Sequence, residues 1–230
     1  MKSFIASTTY FLQEGRENLP ECLKVAFQTC VQQGIKKIVI FTAYGDGVKL
    51  AVETLCSMPE YSHIQLVAVT FPAGKTFTDD KKQPIDVKID DGIRDLMKEH
   101  DIPLVRAHLP LDSVEPGAAR HTTVGRGFNL LGETLNMFCG SMSLCVQAVA
   151  LACDAGYVES GEHVVSMTSD TAILATSAVT RRMLSQLIIR EILCKPAILT
   201  IGRHETSPTI LEPEEKQPVL EGKKTRKLGK

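Results

Sequence analysis

Short apolar runs recur along this chain, and a segment with helical spacing separates each from the next. Ile38-Val39-Ile40-Phe41 is apolar at every position, as a strand covered on both faces must be. Ahead of it, Asn18-Leu19-Pro20-Glu21 supplies an N-cap, a proline in the first turn and a carboxylate three residues after the cap. Leu19, Leu23, Phe27, Cys30 and Val31 then follow at helical spacing, and Gly34 ends the helix. Behind the strand, Asp46 to Ser57 carries Val48, Ala51, Val52 and Leu55 on one stripe. Leu66-Val67-Ala68-Val69, a helix over Asp90 to His100, Leu104-Val105, a long helix over 130–154 and Val164-Val165 continue the alternation.

Strands alternating with helices predict an α/β fold, a three-layer sandwich in which helices cover both faces of a mostly parallel sheet. MKSFIASTTYF at the start reads as a first strand and lacks the apolar core of a secretory signal. Ala172-Ile173-Leu174 and Leu187-Ile188-Ile189, joined by a short connection, predict an antiparallel ribbon near the C-terminus. Thr134 to Cys153 has no formal charge over twenty residues. Its polar interruptions and missing basic flank make it a helix buried between layers, not a membrane span.

With 230 residues, 43% of them hydrophobic and 23% charged, the chain can build one core without disulfide or metal support. The expected organisation is a single domain over 1–203 and a charged, proline-containing tail over 204–230. Twenty-six basic against 27 acidic residues leave no broad positive field, so no specific nucleic-acid partner is expected. Five basic residues fall in the last eight positions (Lys223, Lys224, Arg226, Lys227 and Lys230) and read as a solvated tip. Seven cysteines without a C-x-x-C pair indicate free thiols, as in a reducing cytoplasm, and no zinc site.

In such sheets ligands collect beyond the carboxyl ends of the strands, where free N–H groups at helix starts face them. Thr42-Ala43-Tyr44-Gly45-Asp46-Gly47 joins a buried strand to a helix there, with two glycines and two hydroxyls. It is a candidate phosphate cradle, although it matches neither the dinucleotide fingerprint nor the P-loop. Asp46 is also the natural N-cap, and a capping carboxylate competes with a phosphate for the same donors. Two connections, 71–89 and 109–129, are longer than the architecture needs and read as lids or binding loops. The second contains Gly125-Arg126-Gly127, an arginine between glycines that suits a phosphate or carboxylate. The histidines show no i, i+4 ligand pair and there is no Gly-x-Ser-x-Gly elbow, so metal and serine hydrolysis lack support.

KIVIFTAYGDG from Lys37, QLVAVT from Gln65 and GEHVVSMTSDTAILATSAV from Gly161 resemble, in order and spacing, the C-terminal α/β domain of pyruvate kinase. Tyr10-Phe11, Gly15, Glu17-Asn18, Val124-Gly125-Arg126-Gly127, Glu133-Thr134-Leu135, Asp154-Ala155-Gly156 and Asp170-Thr171-Ala172 are similar to the stand-alone prokaryotic proteins built from that domain alone. The resemblance implies a domain that binds a phosphorylated effector and forms a homo-oligomer. It implies no pyruvate kinase activity, because the catalytic barrel is absent. It carries Thr42 and Gly45 onto the threonine and glycine of the enzyme's phosphate loop, while Tyr44 and Gly47 replace hydroxyl residues there. Thr168-Ser169-Asp170-Thr171 takes the place of a second effector loop that is longer and richer in glycine.

The ligand expected is therefore a small phosphorylated molecule such as a mononucleotide or FMN, held by Thr42–Gly47, Gly125–Gly127 and Thr168, Ser169 and Thr171. The alternatives are an enzyme using the same cleft, with His108, His121 or Arg126 acting on a phosphate-bearing substrate, and an oligomeric scaffold whose pocket is vestigial.

Overall fold

The computed structural model describes residues 5–78, 81–112 and 123–197, with backbone only at 123–126 and 128. In chain order the main elements are β1 (Thr9–Phe11), α1 (Leu19–Gln33), β2 (Lys37–Phe41), α2 (Asp46–Ser57), β3 (Gln65–Thr70), β4 (Thr76–Thr78) and β5 (Pro84–Asp86). They continue with α3 (Asp91–Glu99), β6 (Leu104–Arg106), α4 (Thr123–Asn136), α5 (Met142–Asp154), β7 (His163–Met167), β8 (Ala172–Thr176), α6 (Met183–Gln186) and β9 (Ile188–Pro196).

Seven strands form one sheet in the order β1-β9-β8-β7-β2-β3-β6. Every neighbouring pair is parallel except those of β8, which runs against both β7 and β9. The predicted α/β class, mostly parallel sheet and C-terminal antiparallel strands are all present. Alternate side chains of β2 go to opposite faces: Ile38 and Ile40 join a core with α1, α2 and α3, while Val39 and Phe41 join a second core with α5. That is why the run has no polar position.

Helix α1 ends as its sequence dictates. Gly34 takes the left-handed conformation at φ 66° and its N–H caps the carbonyl of Cys30. Asp90 caps α3 by accepting from the Gly92 N–H at 2.8 Å.

Three expectations need correction. Among the described residues of the expected first strand, only Thr9–Phe11 pair into the sheet, on β9. The long helix over 130–154 is two helices, α4 and α5. The chain turns at Met137–Ser141 between them, with Gly140 in the turn beside the Glu14 side chain. The 109–129 connection is shorter than expected, since α4 starts at Thr123 and takes Gly125-Arg126-Gly127 into its first turns.

Helix α5 is buried along almost its whole length, which accounts for the absence of charge before its last residue, Asp154. Among the described residues no helix is long and apolar enough to cross a membrane. Six of the seven cysteines are buried, and only Cys56 is exposed. The tail over 204–230 lies outside the described residues.

Candidate functional site

The chain leaves β2 toward β3 on one side and enters the sheet again at β7 on the other. The carboxyl ends of β2 and β7 therefore flank a switch point of the topology. A cavity of about 360 Å³ opens there. Thr42, Tyr44, Asp46 and Gly47 line it from the β2 end, Thr168 and Ser169 from the β7 end, and Phe71 from the end of β3.

The β2–α2 turn is built differently from the sequence expectation. Gly45, not Asp46, is the residue before the helix, in the left-handed region at φ 99°. A Cβ there would lie 2.8 Å from Ile93 Cγ2 and 3.1 Å from Ile89 Cγ2, so glycine is required by backbone and by space. Thr42 Oγ1 accepts the Gly45 N–H at 2.9 Å, which uses that hydroxyl to shape the turn. Asp46 becomes the first helical residue and makes no side-chain cap. Its carboxylate turns outward to Arg16, with Nη2 to Oδ2 at 3.4 Å.

The amides of Asp46, Gly47 and Val48 consequently keep the free donors of a helix start and have no acceptor among the described residues. Gly47 lets the helix start pack closely on β2: a Cβ would come within 3.1 Å of Ile40.

A second helix start, that of α5, also reaches the cavity through Ser141 and Leu144. Its donors are already used. Met142 N–H binds Cys139 O, Ser143 N–H binds Asn136 Oδ1, and the amides of Leu144 and Cys145 bind Ser141 O. An anion entering the cavity therefore meets open amides at the start of α2 and none at the start of α5.

Arg16, from the segment after β1, is the cation of the site and carries no signal in the sequence beyond lying between Gly15 and Glu17. Its guanidinium stands 4.9 Å from the centroid of the Tyr44 ring and pairs with Asp46. Aromatic rings form one wall. Tyr44 and Phe77 lie 6.4 Å apart edge to face, Phe77 and Phe71 5.2 Å, and Phe71 and Phe41 4.8 Å. Phe77 comes from the β4–β5 ribbon within the long 71–89 connection. An aromatic residue in a stretch of proline, glycine and charge was the available signal for it. Leu19 and Leu144 complete the apolar lining.

The remaining candidates separate. Thr168 to Thr171 form the turn of the β7–β8 hairpin, closed by Thr168 N–H to Thr171 O at 2.8 Å. Ser169 is half-buried at the cavity, whereas Thr171 is fully buried and bonded to Asp170 and Cys139. Thr171 is thus a support of the turn and does not line the cavity. Gly127 lies on α4, exposed and away from the lining. The expected Gly125–Gly127 loop is helix, and the Arg126 side chain lies outside the described residues. His121 also lies outside them, and His108 is exposed, with Nε2 3.2 Å from the Asp112 carbonyl and no place on the cavity wall.

A larger groove, about 870 Å³, lies at the opposite end of the sheet beside the carboxyl ends of α2 and α3. Those helix ends carry partial negative charge and disfavour an anion. Among the described residues no group of histidine, cysteine, aspartate and glutamate could hold a metal ion. No family model matches the chain.

Proposed function

We propose that this chain is a binding domain for a small phosphorylated molecule, a stand-alone relative of the pyruvate kinase C-terminal domain without that enzyme's activity. The phosphate would take the open amides of Asp46, Gly47 and Val48 with Arg16 beside it. The body of the ligand would lie against Tyr44, Phe71 and Phe77, as suits a mononucleotide or FMN. The single observation that carries this reading is the pair of unpartnered amides of Asp46 and Gly47 at a helix start that lines a cavity with an arginine at its mouth.

Two measurements test it. An absorbance and mass spectrum of the protein as isolated looks for a co-purified nucleotide or flavin. A thermal-shift panel of phosphorylated metabolites and mononucleotides looks for stabilisation. A ligand at one hundred times its Kd adds about 2.7 kcal/mol, or a Tm rise of about 5–10 °C for a domain of this size. Arg16→Ala should abolish most of that rise. A panel in which no phosphorylated compound raises Tm refutes the proposal.

A further inference from the structure

The hairpin turn that closes one side of the cavity hides a carboxylate. Asp170 is only 5% exposed, and it forms no ion pair with any described residue. Its oxygens instead collect three neutral donors: the Gly15 N–H at 3.2 Å, the Thr168 hydroxyl at 3.4 Å and the Thr171 hydroxyl at 3.1 Å. Burying a carboxylate without a cation is expensive, and a chain that needed only to fill this space would do so more cheaply with an apolar residue. What distinguishes the arrangement is where its donors come from. Two belong to the β7–β8 turn and the third lies 155 residues away, on the residue immediately before Arg16.

From this geometry we infer that Asp170 is a positioning residue for Arg16. It fixes the Gly15 backbone against the β7–β8 turn and so sets the next side chain over Tyr44 and beside Asp46, at the mouth of the cavity. Thr168, which lines that cavity, is held by the same carboxylate, so one buried group orders both walls. Removing it frees the Arg16 segment while leaving the α2 amides in place. The inference rests on the proposed anion site for its consequence, but its geometric core can be tested without any ligand.

The test is a double-mutant cycle read by titration with inorganic phosphate. Asp170→Ala should weaken phosphate binding about tenfold in the wild-type background, the scale of one charge-assisted contact. In the Arg16→Ala background the same change should alter affinity less than about twofold, because its effect passes through the arginine. Equal losses in both backgrounds, or no loss in either, overturn the assignment; a general structural role predicts the first of these. Asp170→Asn should restore near wild-type affinity, since its Oδ1 can accept from Gly15 while its Nδ2 donates to the two rotatable hydroxyls.

Should Asp170→Ala fail to fold, hydrogen exchange in the folded wild-type protein decides the matter. The Gly15 amide should be protected, and exchange at the unstructured rate refutes the clamp. Phosphate that fails to bind wild-type protein removes the anion site alone, whereas an unprotected Gly15 removes the role of Asp170 alone.

Discussion

Replacing Asp46 by asparagine should make this protein bind phosphate more tightly, although it removes the carboxylate that pairs with Arg16 at the cavity wall. The Asp46 carboxylate sits on the first residue of α2, half exposed and 3.4 Å from Arg16. It therefore shares the helix end with any anion held by the amides of that turn, and it engages the one arginine there. Two unit charges about 6 Å apart repel by about 0.7 to 2.8 kcal/mol for an effective dielectric between that of water and that of a protein surface. Solvent and salt at a half-exposed position favour the lower half of that range. The expected gain is about three- to tenfold in affinity for orthophosphate at low ionic strength. Stability should move the other way. The helix start loses a favourable charge worth about 0.3–1 kcal/mol, together with a surface ion pair worth no more. Calorimetric titration of wild type and Asp46→Asn at low and high salt reads both the gain and its screening. Unchanged or weaker binding at low salt refutes the picture of an anion seated on α2 within the field of Asp46.

Three further outcomes follow from features of the fold. Gly45→Ala should cost about 2 kcal/mol or more in chemical denaturation, combining left-handed strain with the contact to Ile93, and a loss below about 0.5 kcal/mol contradicts the turn geometry. Burial pushes the Cys30 thiol from 9.0 to about 12, so the folded state holds a proton that the unfolded chain releases first. Its contribution to stability is complete below about pH 9 and falls as pH rises toward about 12; between pH 8 and 10.5 wild type should lose about 2 kcal/mol more than Cys30→Ala in urea unfolding. With six thiols buried and Cys56 exposed, a thiol reagent should titrate one cysteine quickly in the native protein and the others only on unfolding.

The alternation of apolar runs made the layer order legible, because β2, β3 and β7 are covered on both faces and hold mostly apolar side chains, with Ser166 an exception, bonded to the Cys145 carbonyl. The β2–α2 turn was legible for the same reason: two glycines between a strand and an amphipathic helix leave little room for another structure. What stayed hidden depends on long-range pairing. Arg16 reaches the site only because β1 lies beside β9, with Thr9 opposite Cys194, and no local pattern announces that register. The capping role expected of Asp46 rested on local propensity, which Gly45 overrides by taking φ 99° and directing the carboxylate to Arg16. The uncharged stretch over 134–153 reads as continuous, and Gly140 was its one local sign of the turn at Met137–Ser141. Gly125-Arg126-Gly127 looked like a turn because glycine disfavours helices, and the surrounding α4 absorbs that cost.

The reversed direction of β8 has a practical corollary. By running backwards it lets β9 finish on the same rim of the sheet as β2 and β7, so Ala197, whose amide bonds to Phe11 O, leaves the sheet on the rim that carries the cavity. Ile5, ahead of β1, starts from the far pole. A fluorophore, tether or affinity handle attached at Ala197 thus sits on the rim that carries the cavity, and one placed before Thr9 on the opposite rim.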